Sequence, residues 1–166
     1  MIAQPSVTGI TSADHASLAD VSRFWSMRTR IGFGQCDPAG IMFTPRFFEI
    51  LNVAYEEWYN KALSLDYYDF IGSRRVGLGY GSIETRFLYP CKMGDEIDVF
   101  IEIIKIGNKS YSISTAIFCG SIRIMWSRIA FVTTDLILHK SIGLPDDLRK
   151  ALLDYQISCE RDPAKA

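Results

Sequence analysis

The segment from Thr44 to Lys61 cannot be stable unless something wraps around it. Phe47, Leu51, Ala54 and Trp58 recur at helical spacing, and Ile50, Val53 and Tyr55 widen the apolar surface well beyond one stripe. A surface helix keeps a polar side, but this one has only a wetter patch near its end, at Glu56, Glu57 and Lys61. The spacing therefore predicts a long helix buried against a sheet. Its start is well punctuated. Thr44 suits the N-cap, and Pro45 suits the first helical position, where its missing N–H costs nothing. Phe43 and Phe48 occupy the positions of a hydrophobic staple.

The rest of the chain can supply that sheet. Trp25, Met27, Thr29, Ile31 and Phe33 alternate with polar or small residues, which predicts a strand. Beyond a loop read from Gly72 to Gly81, four more period-two runs follow. They are Ile83 to Tyr89, Ile97 to Ile103, Tyr111 to Ile117, and Ile122, Ile124, Trp126, Ala130 and Val132. The short connections between the last three predict antiparallel hairpins. A short final helix is expected from Pro145, with Asp146 and Asp147 at its positive end and Leu148, Leu152 and Tyr155 as its apolar stripe. The expected class is α+β: a curved antiparallel five-stranded sheet around one long central helix, with a short C-terminal helix. Residues 1–22 read as a flexible N-terminal arm, 23–157 as a single domain and 158–166 as a tail.

Composition removes several function classes. A 166-residue chain that is 48% hydrophobic can bury one real core. Its net charge of −1 gives no basic footprint for nucleic acid. No run is apolar for the length of a membrane span, and no basic-then-apolar leader opens the chain. Cys36, Cys91, Cys119 and Cys159 are scattered without a C-x-x-C pair, so neither a metal site nor a redox dithiol is expected. A cytoplasmic protein with free thiols and no cofactor is the simplest reading. His15 and His139 are the only histidines, which disfavours Ser-His or Cys-His machinery and favours carboxylate chemistry.

The run Ile31-Gly32-Phe33-Gly34-Gln35-Cys36-Asp37-Pro38-Ala39-Gly40-Ile41-Met42-Phe43-Thr44-Pro45-Arg46-Phe47-Phe48 resembles the signature of the 4-hydroxybenzoyl-CoA thioesterase family. These are hotdog-fold acyl-CoA hydrolases with an aromatic-glycine loop carrying an aspartate before an aromatic-rich helix. Element order and spacing are similar from about residue 23 to 155. The resemblance implies an acyl-CoA substrate and a homodimer or tetramer with active sites at the subunit interface. It further implies Asp37 as the catalytic carboxylate and the backbone amide of Thr44 as a donor to the thioester carbonyl. Gly40, Ile41, Phe43 and Phe47 are the expected substrate-binding positions. Where some members carry an acid, this chain has Gln35. Where some carry a basic cluster for the nucleotide, the hairpin Gly107-Asn108-Lys109-Ser110 keeps only Lys109. That departure leaves an acyl-carrier-protein thioester open as the substrate.

The chemistry is coherent without the resemblance. A thioester carbonyl is already activated, so hydrolysis needs a carboxylate, as nucleophile or general base, and donors for the oxyanion. An Asp one loop upstream of a helix N-terminus offers both, and Gly40 lets the backbone approach closely. Alone, Asp-Pro-x-Gly is ordinary turn chemistry. A carboxylate locked into its own turn with no cavity nearby would count against the reading. Cys36 reads as a packed residue, Glu56 and Glu57 as solvated or capping charge, Glu84 and Arg86 as a polar sheet face, and Glu49 as ambiguous. A hydratase on the same fold would need a histidine–acid pair that is hard to build here. A non-catalytic acyl-thioester-binding protein is the remaining alternative.

Overall fold

The computed structural model describes residues 17–161, and its organisation follows from one buried helix. Seven side chains of α2 (Thr44–Lys61) are buried: Phe47, Ile50, Leu51, Ala54, Tyr55, Trp58 and Tyr59. Each large apolar side chain so buried contributes roughly 1.5–3 kcal/mol, far more than helix propensity supplies.

Around α2 runs one antiparallel sheet of β1 (Ser26–Arg30), β2 (Val76–Phe87), β3 (Glu96–Ile106), β4 (Ser110–Cys119) and β5 (Ile122–Asp135), in the order β1-β3-β4-β5-β2. A two-residue β6 (Lys140–Ser141) pairs with β5. This is the curved sheet around a central helix that the sequence predicts. Ile97, Val99, Ile101 and Ile103 of β3, and Tyr111, Ile113 and Ile117 of β4, all join the core with α2.

Several local readings are corrected. Phe43, not Thr44, is the N-cap of α2, so Thr44 and Pro45 are its first two residues. The staple positions move one residue back, onto Met42 and Phe47, both buried in the core. Phe33 leaves the first strand for a 3-10 turn, Phe33–Gln35. Much of the expected loop from Gly72 to Gly81 is ordered. A short α3 (Tyr67–Gly72), capped by Asp66, precedes it, and β2 begins at Val76. Its glycines hide the strand from propensity but satisfy packing. A Cβ at Gly77 would lie 2.5 Å from Leu136, and one at Gly81 2.8 Å from Val132. On β5, a register shift at Ile117/Phe118 re-phases the strand. Met125, Ile129 and Phe131 then join the core, while Trp126 donates its Nε1–H to Ser114.

The N-terminal arm was expected to extend to residue 22. Residues 1–16, with His15, lie outside the described residues, but Leu18–Val21 form a helical turn, α1, fixed by a Ser17/Asp20 capping box. Val21 packs with Phe100, Ala116 and Phe118, on the sheet face opposite α2. At the other terminus α4 (Asp146–Arg161) runs past the expected domain end at 157, because Cys159 is buried in the core. No helix of the described residues is long and apolar enough to cross a membrane.

One hydroxyl ties α4 to the sheet. Tyr155 Oη donates to the Ile101 carbonyl at 2.6 Å and accepts from the Trp25 N–H at 3.0 Å. Tyr155→Phe strands both backbone groups and is expected to cost ~1–3 kcal/mol, read as a lower urea midpoint at unchanged slope. An unshifted midpoint would show that the hydroxyl is not holding the helix.

Candidate active site

The Asp37 loop is built from backbone bonds before any side chain acts. The 3-10 turn is closed by Gln35, whose Oε1 accepts from the Gly32 N–H at 2.8 Å. Cys36 then bridges Met42, flanked by bonds from Asp37 N to Ile41 O and from Phe43 N to Gln35 O, both 2.9 Å. This miniature hairpin hangs from the segment before β3, since the Met42 N–H donates to Cys91 O at 2.8 Å. Its tip is Asp37-Pro38-Ala39-Gly40, closed by Gly40 N to Asp37 O at 2.9 Å. Gly40 sits at φ +78°, where only glycine is unstrained.

The Asp37 side chain is half-buried and partly committed to that turn. Its Oδ1 accepts from the Ala39 N–H at 2.9 Å, an Asx arrangement that fixes the orientation of the carboxylate. A carboxylate carries two oxygens, and no described residue donates to Oδ2, so one acceptor remains. Seven residues on, α2 begins with the same geometry that orphans helix N–H groups generally. Pro45 has no N–H, the Arg46 N–H bonds Phe43 O at 2.8 Å, and the Thr44 N–H finds no acceptor among the described residues. The first turn of α2 therefore presents one free donor at the positive end of an 18-residue helix.

The other anticipated residues fall in three places. Gly40 and Phe43 are exposed at this mouth and Ile41 is half-buried beside it. Phe47 is core, only 4% exposed, with its ring edge-on to Phe87 at 5.3 Å. Lys109 is far from Asp37 within one chain. It lies in the β3–β4 turn, with Nζ donating to the Ser141 carbonyl at 3.1 Å. Asp37 hangs beside the start of β3, and that strand's ten residue steps to Ile106 span about 33 Å at 3.3 Å per residue.

Competing candidates are engaged elsewhere. Glu49 is exposed and paired with Arg46 at 2.6 Å, Glu57 pairs with Lys61, and Glu56 accepts from Tyr68 Oη at 3.1 Å. Burial, reinforced by Cys119, Asp95 and Cys36, pushes the Cys91 thiol up to about 12. His139 sits in the β5–β6 turn.

Tyr55 and Trp58, expected from their helical spacing to be mainly core and in part the lining of an acyl tunnel, border a cavity of about 240 Å³ between α2 and β2, together with Tyr59, Tyr67, Tyr80, Tyr111, Asn52, Glu56, Leu78 and Phe131, which the sequence reading did not assign to it. Asp37 is not among its walls. Of these tyrosines only Tyr111 takes an inward strand position like that of Ile113, a signal that reads equally as core.

Comparison with known proteins gives concordant results. A family model described as Thioesterase-like superfamily matches residues 31–152. A 1,4-dihydroxy-2-naphthoyl-CoA hydrolase of Prochlorococcus marinus (strain MIT 9515) is 27% identical over 136 residues, covering 75% of this chain and 85% of its own. A 1,4-dihydroxy-2-naphthoyl-CoA thioesterase from Synechocystis superposes with a TM-score of 0.72 at 20% identity, over 79% of this chain and 96% of that one. A gentisyl-coenzyme A thioesterase superposes at 0.71 and 19% identity, over 77% and 99%. At such identities the structural likeness establishes the hotdog fold.

Because an asparagine Oδ1 accepts the Ala39 N–H as readily as a carboxylate oxygen, Asp37→Asn is expected to leave stability within about 0.5 kcal/mol of the parent. Gly40→Ala forces a side chain into the left-handed region and is expected to cost ~1 kcal/mol. Urea denaturation of the two variants checks both, and the opposite ranking would refute this account of the loop.

Proposed function

The chain belongs to the thioesterase-like superfamily, and from that premise we propose that it hydrolyses an acyl- or aryl-coenzyme A thioester to the free acid and coenzyme A. The observation that carries the catalytic part is the pairing, within one short segment, of an oriented carboxylate at Asp37 with the acceptor-free Thr44 N–H. The relatives named for coenzyme A thioesters support that carrier over an acyl carrier protein.

In this reading the thioester carbonyl sits at the mouth of α2 with its oxygen on the Thr44 N–H. Asp37 Oδ2 either attacks the carbonyl carbon or takes a proton from a water that does. In the first case the tetrahedral oxyanion collapses with loss of the coenzyme A thiolate, which takes up a proton. The mixed anhydride on Asp37 is then cleaved by water. In the second case water adds directly, and Asp37 passes its proton to the leaving thiolate. The backbone donor serves both routes, because it is fixed before charge develops on the oxygen.

The carboxylate's partial engagement in its own turn, and the absence of Asp37 from the tyrosine cavity, make an isolated protomer an incomplete site. The exposed edge supports a homo-oligomer that completes it. β2 is an outermost strand, and Tyr80, Ile83 and Phe87 along it are each about 45% exposed, with Leu88 and Tyr89 continuing the apolar run. An edge this long and apolar calls for a partner strand. Two copies paired antiparallel through β2 about a two-fold axis would bring the Leu78 end of one strand alongside the Phe87 end of the other. Lys109, at the Leu78 end, would then approach the partner's Asp37 loop and could serve as a point charge for a coenzyme A phosphate.

Asp37→Asn, whose turn survives, is expected to lower thiol release from acyl- and aryl-CoA substrates by at least about 10²-fold. Release that persists would remove Asp37 from the mechanism, and tight binding of acyl-CoA without turnover in the parent would replace hydrolysis with a binding role.

A further inference from the structure

The hairpin tip between β5 and β6 departs from ordinary turn chemistry. Such tips are normally built from Gly, Asn, Asp or Ser, but the four turn residues here are Leu136, Ile137, Leu138 and His139. The fold sorts the three aliphatics. Leu136 packs inward over Gly77, whose missing Cβ leaves it room. Ile137 and Leu138 face solvent at 70% and 64% exposure, more than any other aliphatic side chain among the described residues. The turn that carries them is braced. The Asp135 carboxylate accepts from both the Ile137 and the Leu138 N–H at 2.8 Å, and His139 closes the turn at φ +52°. A left-handed residue other than glycine costs energy and persists only where its surroundings demand it. Two apolar side chains are thus held out in water by design of the turn, the kind of exposed patch that marks an interaction site.

The surroundings of the tip are positive. Arg75 flanks it on one side, where its carbonyl accepts from the Leu136 N–H at 2.9 Å, and Lys140 follows it on β6, opposite Asp135. Both are exposed, and neither bonds a carboxylate among the described residues. Lys109, whose Nζ meets the Ser141 carbonyl at 3.1 Å, adds to the positive field of this end. The acid of the turn, Asp135, is engaged by the Leu138 and Ile137 amides, which hold its carboxyl below the ordinary carboxylate range. An apolar tip beside unpaired cations matches an anionic bilayer, where aliphatic groups enter the acyl boundary while basic side chains meet lipid phosphates. A second copy of the chain fits worse, because a two-fold contact through the tip sets Arg75 and Lys140 against their own equivalents. Pairing through β2 does not use the tip, which stands on β5, one strand in from that edge.

We propose that the turn at residues 136–139 is a peripheral membrane anchor. Ile137 and Leu138 insert into the surface of an anionic bilayer, and Arg75 and Lys140 sit at its phosphates. Two aliphatic side chains with a few cations give reversible attachment, not an integral span. The anchor requires nothing of the hydrolase reading, since none of its residues belongs to the Asp37 loop or the mouth of α2.

Flotation of the full-length protein tests this, with vesicles of phosphatidylcholine alone or with about 30 mol% phosphatidylglycerol. The parent is expected to float with the anionic vesicles. Ile137→Ser/Leu138→Ser should weaken that binding by at least about tenfold, and Arg75→Gln/Lys140→Gln should bring it down to the level seen with neutral vesicles. All four side chains are exposed, so both double variants should keep the parent's urea midpoint, and lost affinity is then not a lost fold. As a second readout, Leu138→Trp is expected to move its emission to shorter wavelength on anionic vesicles. A parent that does not float, a serine variant that floats as well as the parent, or unchanged emission from Leu138→Trp overturns the anchor. So does a serine variant whose only change is a lower oligomeric mass in light scattering, which assigns the tip to a protein contact. Should the protein cleave no thioester, the hydrolase reading fails by itself, and the vesicle result still decides the anchor.

Discussion

Burial of α2 within the curve of the sheet is the constraint on which everything else depends. Trp58 and Ala54 are fully excluded from solvent, and Leu51 and Tyr59 are nearly so. With apolar groups on most of its surface the helix has no stable existence outside that sheath, and the strands have no other core. The functional features inherit their positions from this one packing event. The hairpin at Cys36–Met42 leads directly into the mouth of α2, while the helix's second half forms a wall of the tyrosine cavity. The bare donor at the helix mouth and the tyrosine cavity thus belong to one rigid rod, separated along its axis.

That separation sets the logic of the assembly we propose. Within one chain, the Asp37 loop and the Thr44 amide lie at the Phe87 end of β2, whereas Lys109 and the cavity lie at the Leu78 end. Within a single protomer these two ends of the sheet stay apart. An antiparallel two-fold along an exposed strand exchanges the ends. In the proposed assembly the apolar edge would bring one copy's Asp37 loop toward the other's Leu78 end of β2.

The fold was largely legible in the sequence because its main signals are local and periodic. Helical spacing from Phe47 to Trp58 and the alternation of β3 and β4 each survive inspection one element at a time. The failures occur where a long-range contact overrides local preference. Gly77 and Gly81 resemble a loop until Leu136 and Val132 are seen pressing against the backbone of β2. The expected phase of β5 is broken by a bulge with no marker in the sequence, and residues 17–22 gain order from an apolar patch on distant strands.

For the candidate site, the division has a physical cause. The order of residues by itself determined the chemistry on offer: one aspartate in a glycine-closed turn, followed closely by a helix whose second residue is proline. Both the turn and the donor left bare at the helix start arise from neighbours in the chain, so they can be read without coordinates. Only the tertiary structure decided that Lys109 stands at the far end of the sheet, that Phe47 is core, and that tyrosines from α2, α3, β2 and β4 converge on one cavity. Those facts depend on strand order and register, which are fixed by packing between residues remote in sequence, and no local pattern encodes them.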